Sequence, residues 1–570
     1  MSDKPRLKVV LCWHMHQPQY RDSLSGLYQL PWTYLHAIKD YVDMAAHLEE
    51  VPEARAVVNF TPILLEQIAD YAAQVRDFLS HGTPLSDPLL AALGETLPVE
   101  EEERRVLIKA CLRANPQRLI DRFPAYRRLA DIAGWLDTRP DALFYLNSYY
   151  LTDLVTWYHL AWLGETVRRQ DRRVQRLLRH GEAFTLHERR ELLEIIGELL
   201  AGVIGRYKAL AGRGQVELSV TPYAHPILPL MIDLGCAREA MPEVQLPELG
   251  RYPGGEERAR WHIHAGIETF ARHFGFKPAG CWPAEGGVST PALRLLQEAG
   301  FRWTASGESV LHHSLERTEK KKEDAPAPAD KCRYRPYHLA GQRIACFFRD
   351  DGLSDLVGFT YSDWHADDAV ANLVHHLENI AGACGDQPGS VVSIILDGEN
   401  AWEYYPENGY YFLSALYRRL AQHPRLELTT FSDCLRGQST MELPNLVAGS
   451  WVYGTFSTWI GDPDKNRAWD MLGEAKRAFD AAVSGARLSG AALQAAERQL
   501  AVCEGSDWCW WFGDYNPEST VSDFDRLYRL HLSAFYQLLG MEPPQYLSQV
   551  FAHGRGAPQL GGVMRRGSEG

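Results

Sequence analysis

Short apolar runs typical of buried strands alternate with helical patterns along much of this chain. The first run, at residues 7–13, is continuous and contains the β-favouring residues Val9 and Val10. Strands that alternate with helices are typical of a parallel sheet or barrel. Further strand-like runs lie at residues 54–62, 216–223, 279–285, 301–306, 343–350 and 390–400. The alternation therefore predicts an α/β fold.

The length of 570 residues exceeds what one hydrophobic core usually serves, so we expect at least two structural units. We predict a barrel over residues 1–437 that carries a helical insertion at about 63–212. A helical domain follows at 438–550, and residues 551–570 are expected to form a disordered tail. The charged, Pro- and Ala-rich stretch at 313–334 is typical of a surface loop.

Charge and cysteine content limit the partners and the compartment. The formal net charge of −14 argues against nucleic acid or an anionic membrane as the main partner and favours a neutral substrate. Ten scattered cysteines form no CxxC pair, so we expect buried thiols in a reducing compartment. The apolar stretch near the N-terminus is too short for a signal peptide, and no run approaches a membrane span. We therefore expect a cytoplasmic protein.

Two histidines stand at alternate positions where the first strand ends, in the motif "HMHQP" at residues 14–18. Side chains alternate along a strand, so His14 and His16 share a face. Pro18 cannot continue a central strand and marks the exit into a loop. These imidazoles could ligate a metal, bind a polar substrate or satisfy a polar core, and the motif alone leaves these alternatives open.

Two later strand ends carry carboxylates beside tryptophan. Glu285 lies in "GCWPAEGGVS", and Asp397 follows an apolar strand in "IILDGENAWEYY". Barrel active sites collect residues from several strand ends, and a carboxylate pair with aromatic platforms can cleave a glycosidic bond. Either acid alone could equally cap the next helix. Both acids together with the strand-end histidines favour a site.

Taken in order, these motifs resemble those of glycoside hydrolase family 57, and the resemblance covers roughly residues 7–545. Two further stretches, "LPWTYLHAIKDYVDM" and "FFRDDGLSDLVGFTY", are similar to the amylase and amylopullulanase-like branch. The resemblance implies an incomplete (β/α)7 barrel of TIM type, followed by a helical region that closes over the cleft. It also implies a retaining mechanism on α-glucans without metal or other cofactor. The motifs that carry it are "HMHQP" (14–18), "VELSVTPYAHPILPL" (216–230), "GCWPAEGG" (280–287), "LDGENAWEYY" (396–405), "WIGDPDKNRAW" (459–469) and "EGSDWCWWFGD" (504–514).

By matching motif positions, the resemblance implies Glu285 as the nucleophile and Asp397 as the general acid/base. Residues implied to bind the sugar are His14, His16, Gln17 and His225. We propose Trp282, Trp402 and Trp508 as stacking platforms, each with core packing as the alternative. Arg349 and Asp350 could shape the same subsite or form an ion pair at a strand end.

Four functions remain open at this stage. The first is an α-glucan hydrolase that cleaves α-1,4 bonds, with or without activity on α-1,6 bonds, in polymers or malto-oligosaccharides. The second is a 4-α-glucanotransferase or branching-type transglycosylase, which differs in acceptor-site shape and dryness rather than in motifs. A non-catalytic glucan-binding protein and a zinc hydrolase that uses His14 and His16 are the others. The sequence makes no prediction of oligomeric state.

Overall fold

The computed structural model describes residues 6–94, 97–319, 333–384, 389–437 and 440–556. Its strands are β1 Leu7–Met15, β2 Ala56–Phe60, β3 Val216–Val220, β4 Gly280–Cys281, β5 Trp303–Gly307, β6 Tyr337–Leu339, β7 Ala345–Arg349, β8 Val391–Asp397, β9 Leu426–Leu428 and β10 Met441–Leu443. Seven of them form a closed parallel ring in the order β1–β2–β3–β4–β5–β7–β8, because β8 pairs with both β7 and β1. This confirms the predicted (β/α)7 barrel.

The barrel strands are buried on both faces, which explains why they read as continuous apolar runs rather than as alternating patterns. In β1, Val9, Val10 and Leu11 are fully buried. The three strands outside the ring were not predicted: β6 is antiparallel to β7, β9 pairs with β1, and β10 pairs with β6. Each has only three residues, which is too short for a pattern to show.

The helices divide into those of the insertion, those of the barrel and those near the C-terminus. The insertion and the segment before it contain α1 Trp32–His36, α2 Val42–Glu50, α3 Pro62–His81, α4 Pro88–Gly94, α5 Glu101–Ala110, α6 Pro124–Thr138, α7 Ser148–Trp162, α8 Glu165–Gln170, α9 Arg172–His180 and α10 Leu186–Gly212. The barrel helices are α11 Leu228–Ile232, α12 Gly255–Phe274, α13 Thr290–Glu298, α14 Glu308–Glu319, α15 Asp351–Asp355, α16 Ala366–Cys384, α17 Tyr410–Ala421 and α18 Phe431–Cys434. The last group is α19 Pro463–Ser484, α20 Gly490–Cys503, α21 Asp507–Trp511 and α22 Glu518–Leu538.

The boundaries proposed for the three parts stay predictions. The surface loop predicted at 313–334 begins inside α14, because an apolar face there, including Leu311, packs into the core; residues 320–332 lie outside the described ranges. In the predicted tail, the backbone N–H groups of Phe551 and Ala552 donate to Asp525 Oδ1, and Gly556 pairs with Pro517. Residues 557–570 are not among those described.

Nine of the ten cysteines lie within the described ranges; all nine are buried, and none of these nine is in a disulfide bond. The prediction of buried thiols is therefore confirmed for these nine, whereas Cys332 lies outside the described residues. The cytoplasmic location itself stays a prediction. Separately, none of the helices in the described ranges combines the length and the apolar content that a membrane crossing requires.

Candidate active site

A cleft of about 310 Å³ opens at the carboxyl ends of the barrel strands, and three parts of the chain line it. The barrel contributes His14, His16, Gln17, Glu285, Asp397, Glu399, Asn400 and Glu403. The insertion contributes Arg113, Ala114, Asn115 and Trp162, and the C-terminal helices contribute Asp507, Trp510, Trp511, Thr520, Asp523 and Phe524. Five predicted site residues thus meet in one cleft: His14, His16, Gln17, Glu285 and Asp397.

Glu285 stands in a single 3-10 turn directly after β4, with a left-handed backbone conformation at φ 55°. That conformation disfavours side chains other than glycine, so it must be held by its surroundings. The indole N–H of Trp451 donates to Glu285 Oε2 at 2.7 Å, and the backbone N–H of Trp451 donates to the Glu285 carbonyl at 3.0 Å. Trp451 therefore fixes both the backbone and the carboxylate of Glu285.

The position after Glu285 has room only for glycine. Gly286 also has a positive φ, of 59°, and a Cβ there would lie 2.8 Å from the ring of Trp282. Trp282 itself is buried and meets the Trp451 ring edge to face, with centroids 5.8 Å apart. Trp282 therefore packs behind the site and does not offer the open ring face that a stacking platform needs.

Asp397 ends β8 and lies opposite His14 in the register of β1 and β8. Its Oδ2 accepts a hydrogen bond from Asn400 Nδ2 at 2.9 Å. Burial raises the pKa of Asp397, and the Asn400 hydrogen bond and the charge of His16 offset this only in part. A carboxyl group with a raised pKa keeps its proton longer, which suits a general acid.

His14 is held by neutral partners. Its Nδ1 lies 2.7 Å from Asn59 Oδ1, and its Nε2 lies 3.1 Å from His225 Nε2. Burial, helped by the nearby His16, lowers the pKa of His14 to about 3. Burial followed by the charges of His16 and His14 holds the pKa of His225 well below its ordinary value. Both rings are therefore neutral hydrogen-bonding groups at ordinary pH.

The neutral rings imply one consistent set of protons. His14 Nδ1–H donates to the oxygen of Asn59, which leaves His14 Nε2 to accept from His225 Nε2–H. The remaining His225 Nδ1 then accepts from the hydroxyl of Ser506, 2.8 Å away. His225 is buried and does not line the cleft, and its Nε2 contacts His14 instead.

His16 joins the barrel to the C-terminal helices. Its Nδ1 lies 3.0 Å from Thr61 Oγ1, and its Nε2 lies 2.7 Å from Asp507 Oδ1. Its ring stacks on His225 with centroids 3.8 Å apart. The ligating atoms of His16, His225 and Asp507 all lie within 4.8 Å of one another, so this group could in principle take a metal ion. In this structure His16 Nε2 pairs with Asp507 Oδ1. His225 pairs with His14 through Nε2 and with Ser506 through Nδ1.

Glu399 is a buried cleft residue that the sequence did not single out for a role. Its Oε1 accepts from the backbone N–H of His16 at 3.3 Å and from Gln17 Nε2 at 3.4 Å. Burial, followed by the charge of Asp397, raises the pKa of Glu399 well above its usual value. A cue for Glu399 is present in the sequence, because it lies in the "DGEN" of the Asp397 motif, two residues after Asp397.

Trp402 and Trp508 also pack in the core, which is the alternative stated for each of them, and neither lines the cleft. The Trp402 indole donates to the Gly398 carbonyl at 3.0 Å and meets Trp13 edge to face. The Trp508 indole donates to the Val502 carbonyl at 2.9 Å. In the same short helix α21, Trp510 and Trp511 line the cleft instead. The "DWCWW" run thus contributes two cleft-lining rings, Trp510 and Trp511, besides the buried Trp508.

Arg349 and Asp350 also lie behind the cleft and do not line it. Buried Arg349 forms ion pairs with Asp351 at 2.6 Å and Asp355 at 2.8 Å, rather than with Asp350 as the second alternative proposed. Its guanidinium also lies 4.8 Å from the Trp451 ring centroid. Asp350 caps α15 by accepting from the Leu353 N–H. These side chains support Trp451 and the strand end.

A parallel barrel with two carboxylates at strand ends, in a cleft walled by aromatic rings, has the general layout of a barrel enzyme. The sequence model of glycosyl hydrolase family 57 matches residues 10–445. Because this match covers most of the chain, the protein belongs to glycosyl hydrolase family 57. The expected family is therefore confirmed.

Individual relatives agree with this assignment. The 1,4-alpha-glucan branching enzyme of Thermococcus kodakarensis is 22% identical over an alignment 393 residues long, which covers 57% of this chain and 54% of that enzyme. The chain thus matches about half the length of that curated relative. A solved branching enzyme from Thermococcus kodakaraensis has a TM-score of 0.57 at 16% identity, over 94% of this chain and 90% of the other. An α-amylase from Thermotoga maritima has a TM-score of 0.56 at 15% identity, over 94% and 93%. Similarity at this level shows a common fold.

Proposed function

We propose that this protein is a retaining enzyme that cleaves α-1,4-glucosidic bonds in α-glucans. The observation that carries the proposal is that Glu285 and Asp397, from two different strand ends, face the same cleft. Retaining glycosidases need two such carboxyl groups, one as nucleophile and one as acid/base. Family membership and the similarity to proteins named as α-glucan enzymes support the substrate class.

In the proposed reaction, Glu285 attacks the anomeric carbon while Asp397 protonates the leaving glycosidic oxygen. The Trp451 N–H keeps the Glu285 carboxylate oriented. Asp397 then takes a proton from the incoming hydroxyl, which displaces Glu285 and restores the original anomeric configuration. The raised pKa of Asp397 supports its first role, since the group must start protonated.

Sugar hydroxyls would be bound by the polar floor of the cleft. His16, Gln17 and neutral His14 lie beside both carboxylates on that floor. Trp510 and Trp511 line the same cleft, where aromatic rings can pack on the apolar faces of glucose. The net charge of −14 supports a neutral ligand over nucleic acid or an anionic membrane.

Transfer to a sugar acceptor is the second candidate, and branching is one form of it. It is favoured by the branching enzyme among the relatives and by the aromatic wall from α21, which could hold an acceptor and limit water. The residues assigned to the two chemical steps are the same in both candidates. Hydrolysis by an amylase or amylopullulanase type of enzyme and transfer differ only in what displaces Glu285.

Product analysis with a defined linear malto-oligosaccharide separates the candidates. Only shorter products indicate hydrolysis, both longer and shorter products indicate transfer, and new α-1,6 bonds in the longer products indicate branching. We expect Glu285→Gln and Asp397→Asn each to lower turnover by at least about a thousandfold. Both variants should keep the wild-type circular dichroism spectrum and melting temperature. Near-normal rates in either variant would refute its assignment.

A further inference from the structure

A second cavity, of about 760 Å³, lies on the other side of the segment that follows Asp397. Its walls come from the turn before α16, from α17 and the residues just before it, and from Arg169 of the insertion. It shares no lining residue with the catalytic cleft. We call it the outer groove.

The outer groove presents large aromatic rings to solvent. Trp364 is 42% exposed and Tyr411 is 51% exposed, whereas most large rings of the protein are buried. Buried Tyr361 meets Trp364 edge to face at 5.4 Å. Trp364 therefore rests on a buried ring, and Tyr411 meets the Tyr410 ring edge to face at 5.3 Å. Such contacts limit the conformational freedom that binding would otherwise remove.

Arg169 holds the other side of the groove. Its guanidinium carbon lies 4.2 Å from the ring centroid of Tyr410 and 5.1 Å from that of Tyr411. Its Nη2 donates to the Tyr411 hydroxyl at 3.0 Å, while its Nε donates to Glu165 at 2.7 Å. The exposed Tyr411 ring is thus fixed in position by a charged side chain that is itself anchored.

The backbone next to the groove is bent in an uncommon way. Glu407, Asn408 and Gly409 are three successive residues with positive φ, at 47°, 55° and 71°. The buried Asn408 side chain holds this bend, because it accepts from Lys39 Nζ at 3.1 Å and donates to Asp43 Oδ2 at 3.0 Å. Two successive non-glycine residues in this region persist only where the surroundings enforce them, and such places cluster at binding sites.

The outer groove and the catalytic cleft lie on two sides of the same short segment, residues 403–405. Glu403 lines the cleft, and Tyr405, two residues later, lines the groove. The insertion clamps the segment between them: Asn115 donates to the Glu403 carbonyl at 3.2 Å, and Arg118 donates to the Tyr404 carbonyl at 2.8 Å. A polymer bound in the groove would therefore lie close to the reacting bonds.

We propose that the outer groove is a second, non-catalytic binding site for an α-glucan chain. Exposed rings rimmed by hydrogen-bonding side chains match a sugar, whose C–H faces pack on aromatics while its hydroxyls pair at the edges. The rim carries both signs of charge, with Arg169 and Arg418 against Asp367 and Glu407, which suits a neutral ligand better than an ionic one. This inference rests on the proposed function, because it takes the substrate of the cleft as the occupant.

The test compares two double variants in a Glu285→Gln background, which removes turnover. Trp364→Ala with Tyr411→Ala removes the two exposed rings of the groove. Trp135→Ala with Tyr149→Ala is the matched control, since these rings are 53% and 59% exposed and line neither cavity. Affinity for glycogen and for soluble starch is measured by retardation in native gels. Melting temperatures check that both variants fold.

We expect the groove variant to bind both polymers about tenfold more weakly than the control variant does. In the active background, its ratio of kcat/KM on starch to kcat/KM on a short malto-oligosaccharide should fall by a similar factor. Unchanged polymer affinity would overturn the proposal. So would a wild-type dimer that the groove variant converts to monomer without loss of glucan affinity, because the occupant would then be a second copy. Wild-type protein that is retarded by the polymers but cleaves no malto-oligosaccharide would refute the proposed function and leave the groove site standing.

Discussion

At the scale of single residues, the site depends on how one indole holds one carboxylate. Glu285 occupies a backbone conformation that is uncommon for glutamate, and Trp451 bonds to both its carbonyl and its carboxylate. Trp451 in turn contacts the Trp282 ring and the Arg349 guanidinium. Trp282 and Arg349 therefore act on Glu285 through Trp451.

Replacing the indole with a ring that lacks the N–H should separate orientation from packing. We expect Trp451→Phe to lower kcat by about tenfold to a hundredfold, because a hydrogen bond to a charged group is worth about 1.5–3 kcal/mol. KM should change less, since Trp451 does not line the cleft. Steady-state kinetics on a short malto-oligosaccharide would measure both quantities.

The matched control for that variant is Trp469→Phe. It also removes one indole hydrogen bond, from Trp469 to the Trp459 carbonyl at 3.0 Å, away from the cleft lining. We expect a small loss of stability and unchanged kinetics. Equal effects on kcat in the two variants would show that Trp451 stabilises the fold without positioning Glu285.

At the scale of elements, strand register brings the site together. Because β1 lies between β2 and β8, His14 is level with Asn59 on one side and with Asp397 on the other. The alternation of strands and helices predicts a parallel sheet or barrel, and only the family resemblance narrows this to a (β/α)7 barrel. The polar residues at strand ends are local patterns, so the cleft positions of His14, His16, Glu285 and Asp397 could be predicted from the sequence.

Contacts between residues far apart in the sequence leave no pattern in the residues next to either partner. The Trp451–Glu285 bond joins residues 166 positions apart, and the His16–Asp507 bond joins residues 491 positions apart. Trp282 and Trp402 lie close in sequence to the carboxylates, and Trp508 lies in the C-terminal motif "EGSDWCWWFGD". Whether such a ring is buried depends on packing: in α21, Trp508 is turned into the core and contacts Phe524, Tyr528 and His531. Sequence closeness therefore could not identify the cleft rings.

The buried carboxylate of Glu504 ties the C-terminal end of α20 to barrel helix α12. It pairs with Arg258 at 2.7 Å and with His262 Nε2 at 2.8 Å. Burial alone would raise the pKa of Glu504, but the charge of Arg258 and the hydrogen bond from His262 outweigh it and lower the pKa to about 2. The ionised carboxylate therefore stabilises the folded state at neutral pH, because it pairs with buried Arg258 and His262.

We expect Glu504→Gln to lower the free energy of unfolding by about 3 kcal/mol at neutral pH, because it leaves Arg258 buried beside an uncharged group. The folded-state pKa lies below the unfolded value of about 4.3, so this stabilisation is present above that value and is lost as pH falls toward the folded pKa. The difference between wild type and variant should therefore shrink in acid. Urea unfolding at several pH values would measure it.

The exposed ion pair between Glu298 and Arg260 is the control for that experiment. Glu298→Gln should cost less than about 1 kcal/mol, because solvent screens a surface pair. If the Glu504 variant lost no more stability than the Glu298 variant, the buried network would not stabilise the contact between α20 and α12.

At the scale of the whole molecule, the cleft exists only where three separate parts of the chain meet. Barrel strand ends form its floor, residues 113–115 of the insertion form one side, and α21 and α22 form another. The family match ends at residue 445, yet Trp451, Ser506 and Asp507 all lie beyond it and hold Glu285, His225 and His16. Residues beyond the family match thus contact the side chains that form the site.

This arrangement predicts that a ligand in the cleft stabilises all three parts together. In Glu285→Gln, a malto-oligosaccharide at about a hundred times its Kd should add about 2.7 kcal/mol to the stability of the binding-competent state. Hydrogen exchange should then slow at residues 14–17, at 113–115 and at 507–511, because each segment lines the same cavity. Exchange at residues 144–149, which are largely exposed and line neither cavity, should not change. Protection confined to the barrel segment would mean that substrate is held by the strand ends alone, and that the insertion and the C-terminal helices close the cleft without taking part in binding.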